Sequence, residues 1–521
     1  MFASLRYSDA VPPHAGHTSA RRPADSSEHG HETREHGSGG VNIRFPSLIL
    51  ATLAASTGCT VGPSYTPPQD PVAPASWSVR LPPELRETPD SLANWWTVFG
   101  DSILDRLIQR AAAANLDARE AAARIRQSRA ELAGARSRGY PTLAVGVIAG
   151  GTHISDHGSL AQIAPPGGFD PQAQFALGVA ASWELDLFGR VRSSVRAAEA
   201  GVIASIEDQR NVYVVLFGEV AMTYAELRTV QQRLVDTRAN IQLQRETLNL
   251  VQQRIAGGVA TGLDAAQAEM NLYQTQAIVP QLEILLRLAL NRLAVLLGER
   301  AGALDTELAA AEPIPVPPPE VAIGIPADLL RRRPDVRAAE SRYESEQARI
   351  GAATADLYPR LAIDGYLGLE SSDLGTLFDS ESREWRVSAP IGWVAFDGGG
   401  LRSRVDAADA RAAQALLQYE QVVLEALAET ENALVEFAQQ TTRRGQLASA
   451  VDAAQRAVDL VLVQYREGTV DFQNVMDSQR ELLGVQNGLA SADGRVATAL
   501  IGIYKSLGGG WQSVDSGQDS F

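Results

Sequence analysis

Between Arg190 and Ala256 the chain has no proline. An apolar or aromatic residue recurs there at every seventh position: Ile206, Tyr213, Val220, Leu227, Leu234, Ile241, Leu248 and Ile255. A strict seven-residue period predicts a helix supercoiled against its neighbours. At about 1.5 Å of rise per residue the segment makes a rod of roughly 100 Å, several times an ordinary globular helix. A second stretch keeps the register through Leu416, Val423, Thr430, Phe437, Val451, Val458 and Tyr465, with Arg444 interrupting it. Each rod is predicted to turn over at glycine, at Gly257-Gly258 and at Gly468. Thr261 to Asp264 has the spacing of a capping box, which starts a return helix running to Gly298. Upstream, the Ala-, Arg- and Leu-rich text from Leu104 to Arg138 reads as a helix ended by Gly139-Tyr140-Pro141.

Other segments alternate with a period of two. Phe175, Leu177, Val179, Ala181, Trp183, Leu185 and Leu187 make an apolar face, and the residues between them, from Ala176 to Phe188, a mostly small or polar one. Leu361, Ile363, Leu367 and Leu369 alternate in the same way with Ala362, Asp364, Tyr366, Gly368 and Glu370. Leu143 to Gly150 and Trp385 to Phe396 are two further candidates, the last interrupted by Pro390. Strands of about ten residues with aromatics near their ends are the signal of a membrane β-barrel. A half-buried soluble sheet gives the same alternation. Four strands cannot close a barrel, since known ones begin at about eight, so membrane strands would have to be shared among several chains.

The two halves are copies of each other. Tyr140-Pro141-Thr142-Leu143-Ala144 matches Tyr358-Pro359-Arg360-Leu361-Ala362, 218 residues on. Trp183, Gly189, Arg192, Ser193, Val195 and Ala197 match Trp393, Gly399, Arg402, Ser403, Val405 and Ala407, 210 residues on, so one loop of the first copy absorbs the difference. A Pro-rich stretch from Pro313 to Pro319 divides the copies.

Polar text fills the first forty residues and cannot build a core. Arg44, the apolar run FPSLILATLAAST and the small residues before Cys59 read as a signal peptide, too short to span a bilayer. Cys59 is the only cysteine, and its setting resembles the lipobox of bacterial lipoproteins, in which the Cys is acylated; the bland alternative is an inert thiol in a leader. Thr60 in place of Asp points to the outer membrane. Residues 1–58 are thus expected to be leader and signal peptide, with 1–40 a mispredicted extension ahead of Val41. Residues 59–100 read as an extended, lipid-linked tether, 101–312 and 326–507 as the two repeats, 313–325 as a Pro-rich equatorial linker and 508–521 as a C-terminal tail.

Composition then removes function classes. With 46 basic and 62 acidic side chains among 521 residues, the net charge of -16 argues against a nucleic-acid partner. Gly100-Asp101-Ser102 resembles the block that opens certain serine hydrolases, but a Ser nucleophile needs a base and no His follows His157. Gly398 to Gly400 lacks the Gly-Lys-Ser/Thr ending of a phosphate loop and reads as a strand-to-helix turn. No enzyme, metal or soluble cofactor is expected.

Helix, strand pair, very long helix and return helix, repeated once behind a lipobox, resemble the TolC/OprM outer membrane factors, and in particular their NodT-like lipoprotein branch. The resemblance is carried by Ser182-Trp183-Glu184-Leu185-Asp186-Leu187-Phe188-Gly189-Arg190, Phe396-Asp397-Gly398-Gly399, Trp95-Trp96, Leu330 to Arg337 and Leu507 to Trp511. It implies an α+β membrane protein: a homotrimer whose antiparallel coiled-coil helices form a periplasmic α-barrel, continuous with one shared barrel of about 12 strands. It further implies the exit duct of a tripartite efflux system for small toxic molecules or drugs, opened by a periplasmic adaptor and driven by an RND-type inner membrane pump. The exit duct of a type I protein secretion system and a periplasmic coiled-coil scaffold lipoprotein are the alternatives. The only covalent group implied is an N-acyl diacylglycerol on Cys59, held in outer membrane lipid. Adaptor docking is implied at Gly257, Gly258, Val259, Gly468 and Thr469, and the periplasmic gate at Gln473, Asn474, Asp477 and Arg480. Read without the resemblance, Asp477 is a charge at a helix start favoured by the dipole. Asp264 is expected at the equivalent level of the first copy, as a cap.

Overall fold

The computed structural model describes residues 60–68, 77–78, 85–86, 92–155, 157–159, 163, 170–315, 321–322 and 332–515. A short strand β1 (Leu85–Arg86) precedes the first copy, which comprises α1 (Ser102–Ala114), α2 (Leu116–Ser137), β2 (Thr142–Thr152), β3 (Gln172–Leu185), α3 (Arg190–Ala256), α4 (Gly262–Gln276) and α5 (Ile278–Leu296). Strand β4 (Val321–Ala322) pairs with β1 in parallel. The second copy follows as α6 (Pro334–Ala355), β5 (Arg360–Ser371), β6 (Arg383–Ser388), β7 (Ile391–Gly392), α7 (Gly400–Glu467) and α8 (Phe472–Ser506), and α9 (Gln512–Asp515) comes last.

Both heptad segments are single helices, 67 residues in α3 and 68 in α7. Tyr213, Val220, Leu227 and Leu234 on α3 and Val423, Phe437, Val458 and Tyr465 on α7 are buried, as the period requires. Arg444, which breaks the period, pairs with Asp493 of α8 at 2.5 Å. The copies also agree in side-chain detail. The indole N–H of Trp183 donates to the Gly139 carbonyl and that of Trp393 to the Leu357 carbonyl, each at 3.0 Å, closing the same helix-to-strand corner twice.

Two helices expected to be continuous are divided. Between α1 and α2, Asn115 accepts from the Ala118 N–H and donates to the Leu296 carbonyl, so a cap for a new helix wins over continuation. The return helix breaks at Ala277 because Pro280 has no N–H for the Gln276 carbonyl and its ring crowds that group. The fourth strand also departs from expectation. It stops at Ser388, resumes for Ile391–Gly392 and leaves Trp393 to Phe396 outside the sheet, since Pro390 cannot donate to the ladder.

The sheet runs in the order β2-β3-β5-β6, all antiparallel, with β7 on the end of β5. Its register gathers Val145, Val179, Leu367 and Trp385 into one row on one face. The other face carries Ser182, Asp364 and Ser388 in one row and Tyr366 beside Arg386 in the next.

The core lies where both long helices meet the segment around Trp95 and the stretch from Val496 to Val514. Trp95 stacks on Tyr504 at 5.3 Å and Trp96 meets Phe217 edge-on at 5.1 Å. Each such ring contributes about 1.5–3 kcal/mol by burial. Within residues 59–100, Trp77, Leu92, Trp95 and Trp96 are buried and join this core, while most of residues 60–68 are exposed. Residues 509–515 are equally engaged. Gly509 and Gly510 leave room for Trp95 and Phe217, Arg210 lies over Trp511 at 4.4 Å, and Arg210 also pairs with Asp515.

Candidate functional site

Two regions have the geometry for a role beyond folding: the tips of the helical hairpins and the faces of the sheet. At the first tip Gly258 takes φ +74°, its N–H bonds the Ile255 carbonyl and the Val259 N–H bonds the Arg254 carbonyl. At the second, Gly468 takes φ +78° with the matching bonds from Gly468 to Tyr465 and from Thr469 to Gln464. Both are Schellman turns, which close a helix by putting glycine where a Cβ would be strained. Gly257, Gly258, Val259, Gly468 and Thr469 are all exposed.

Arg254 joins the two turns. Its Nη1 donates to the carbonyls of Tyr465 and Arg466 at 2.7 and 2.8 Å, and its guanidinium lies 4.7 Å from the centre of the Tyr465 ring. Burial, with the Asp264 charge adding to it, pushes the Tyr465 hydroxyl above its ordinary range. Sequence reading missed Arg254, although a signal existed: its counterpart 210 residues on is Gln464, so the charge has no twin.

The return helices leave these turns differently. Thr261 and Asp264 form the expected capping box on α4. On α8 the cap position is Asp471, so Asp477 lies in the second turn and is not a cap. Asp264 occupies in α4 the place of Asn474 in α8, which corrects the expected equivalence with Asp477. Gln473, Asn474, Asp477 and Arg480 share an exposed face of α8. Gln473 Nε2 donates to Asp477 at 2.9 Å, Arg480 Nη1 stands 3.9 Å from the same carboxylate, and Arg480 Nε donates to Asn271 of α4 at 3.0 Å.

The two faces of the sheet differ in chemistry. On one, Val145 is 74% exposed, Leu367 67% and Trp385 75%, which is costly in water and favourable in lipid. On the other, Ser182 donates to Asp364 at 2.8 Å, Gln174 to Glu370 at 3.0 Å and Arg386 to Glu384 at 2.9 Å. Among the described residues no helix is long and apolar enough to cross a membrane. Where β3 passes into α3, Asp186 accepts from the N–H groups of Val191 and Arg192; Asp397 caps the matching Leu401 amide before α7. The Gly398 to Gly400 segment is thus the expected strand-to-helix turn. Asp101 of the Gly100-Asp101-Ser102 block caps α1 at the Ile103 and Leu104 amides and accepts from the Tyr224 hydroxyl at 2.6 Å.

Cys59 lies outside the described residues, but the chain directly after it is fixed at the first strand-to-helix corner. The Val61 N–H donates to the Phe188 carbonyl, and a Cβ on Gly189 would come within 2.7 Å of the Thr60 methyl.

The family model described as outer membrane efflux protein matches residues 107–299 and 325–509. Nodulation protein T of Rhizobium leguminosarum bv. trifolii is 29% identical over 470 residues, covering 90% of this chain and 97% of that protein. The solvent efflux pump outer membrane protein SrpC of Pseudomonas putida is 31% identical over 476 residues, covering 90% and 99%. Among solved structures, the outer-membrane channel OprN superposes with a TM-score of 0.80 at 34% identity, covering 87% of this chain and 100% of that one.

Proposed function

This chain belongs to the outer membrane efflux protein family, and on that premise we propose that it is the outer membrane exit duct of a tripartite efflux system for small toxic molecules or drugs. One observation carries the reading: a sheet with one apolar exposed face and one polar face continues directly into helices of 67 and 68 residues. That is the construction of a wall which meets lipid outside and solution inside. Three chains pool their strands into one barrel of about 12, and their helices continue it into the periplasm. The duct performs no catalysis. Energy comes from an inner membrane pump of the RND type, coupled through a periplasmic adaptor that docks on the exposed turns at Gly257, Gly258, Val259, Gly468 and Thr469.

Lipid on Cys59 supports the same arrangement. The neighbouring Thr60 and Val61 are held at Gly189 and Phe188, where strand gives way to helix, so an acyl chain there would enter the periplasmic leaflet. A radioactive fatty acid should label the wild type and leave Cys59→Ser unlabelled. An unmodified Cys59 in mature protein from the native host would remove the anchor.

Gln473, Asn474, Asp477 and Arg480 form the periplasmic gate in this reading. Three Asp477 carboxylates around a threefold axis repel one another unless cations or Arg480 compensate, which makes a constriction that can open. Asp477→Ala in reconstituted trimers should raise single-channel conductance and weaken block by divalent cations. Asp264→Ala, which loses only the Asp264 half of the α4 capping box, should change neither. Unchanged conductance and block in Asp477→Ala would place the gate elsewhere.

A further inference from the structure

The polar face of the sheet contains a bare strip. Gly146, Gly178 and Gly368 are direct partners across β2, β3 and β5, so three strands in succession present no side chain at one level. Glycine inside a strand weakens it and marks a place where something approaches closely. The approaching group is Tyr366, two residues before Gly368 on β5. A Cβ on Gly178 would meet Tyr366 Oη at 2.5 Å, Cζ at 2.6 Å and Cε2 at 2.7 Å; a Cβ on Gly368 would meet Oη at 2.5 Å. The ring therefore lies down across Gly178 and Gly368.

Side chains on a strand ordinarily stand roughly perpendicular to the sheet. Trp385, on the opposite face of the same sheet, stands largely in the open at 75% exposure, while Tyr366 is half-buried although no described element packs over its face. Only the glycine floor allows that difference. The face concerned is the polar one, with Asp364 and Glu370 on the same strand, and polar faces line the interior of a membrane barrel.

We infer that Gly178 and Gly368 keep the bore of the exit duct clear at the level of the barrel: they hold the Tyr366 ring flat against the wall, and a side chain at Gly178 would tip three rings of the trimer into the lumen. The inference rests on the channel reading above. Gly178 is the informative position, because all three atoms nearest its added Cβ belong to the Tyr366 ring, whereas a Cβ on Gly368 would also strike the Leu177 carbonyl. Gly146 is the control in the same row, with nothing within 4 Å of its added Cβ.

The test uses full-length trimers in planar bilayers, with poly(ethylene glycol) of graded size added on the barrel side. The largest polymer that alters single-channel conductance measures the bore from that side, whatever the state of the periplasmic gate. Gly178→Ala should shift the cut-off to smaller polymers, Gly146→Ala should leave it in place, and adding Tyr366→Ala to Gly178→Ala should restore it. Tyr366→Ala alone should keep the wild-type cut-off, since a ring already flat occludes little. An unchanged cut-off in Gly178→Ala, a loss that persists in the double variant, or a wider bore in Tyr366→Ala alone would overturn the inference. Should Gly178→Ala fail to assemble, the double variant decides: assembly restored by Tyr366→Ala, with the wild-type cut-off, supports the inference, and a double variant that also fails overturns it. Wild-type protein that forms no channel at all would instead overturn the channel reading.

Discussion

The Arg254 side chain, near the end of one long helix, closes the end of the other. The last carbonyls of a helix have no partner of their own, and those of Tyr465 and Arg466 at the end of α7 are met by a guanidinium reaching across from the end of α3. Hydrogen bonds from a charged donor are worth about 1.5–3 kcal/mol, and stacking over Tyr465 adds a cation–π contact. The consequence is positional: the two exposed glycine turns are held as one composite surface. Arg254→Ala should leave the long helices intact while hydrogen exchange speeds up at the Gly468 and Thr469 amides, and amides beside Trp95 should keep their protection. Arg254→Lys, which retains a donor but loses the planar face over the ring, should fall between. Unchanged exchange at Gly468 in Arg254→Ala would mean that the Schellman turn holds by itself.

Elements differed in how far they could be read from sequence. The ends of α3 were legible at Arg190 and Ala256 because glycine flanks both, no proline lies between them and the seven-residue period runs from Ile206 to Ile255. Strands β2, β3 and β5 were legible within a few residues for a similar reason, since alternation needs only neighbours. What failed was long-range. Asn115 ends α1 partly because the Leu296 carbonyl is there to receive its amide, and nothing near Asn115 announces a residue from the return helix. The Pro-rich text after Cys59 has the composition of a hydrated tether, yet Thr60 and Gly62 pack where Gly189 and Gly351 offer no side chain, a complementarity set by residues far apart in sequence. The break before Pro280 was legible in principle, since a proline three residues into a helix marks a start. At the tips, the exposed face of α8 carrying Gln473, Asn474, Asp477 and Arg480 followed from the family resemblance, while Arg254 came only from the structure.

For the whole molecule, the decisive fact is that the sheet of one chain has two open edges. Among the described residues strand β2 pairs only with β3 and β6 only with β5, and every residue of β2 is exposed. Unpaired N–H and C=O groups cost several kcal/mol each in hydrocarbon, so an open sheet cannot stay in a bilayer. The helices carry the same message in another form. Leu417 and Leu424 on α7 and Ile284 and Leu288 on α5 are exposed apolar residues at helical spacing, which a coiled-coil neighbour would cover. One remedy would serve both: copies of the same chain that complete the strand edges and also cover these exposed residues on α5 and α7. Mass measurement in detergent should accordingly give three chains. Replacing Leu417 and Leu424 together by Glu should lower the yield of trimer without removing helix signal from what remains. A homogeneous monomer that keeps its strand signal in detergent would contradict the shared barrel, since its edges would then have to be satisfied within one chain.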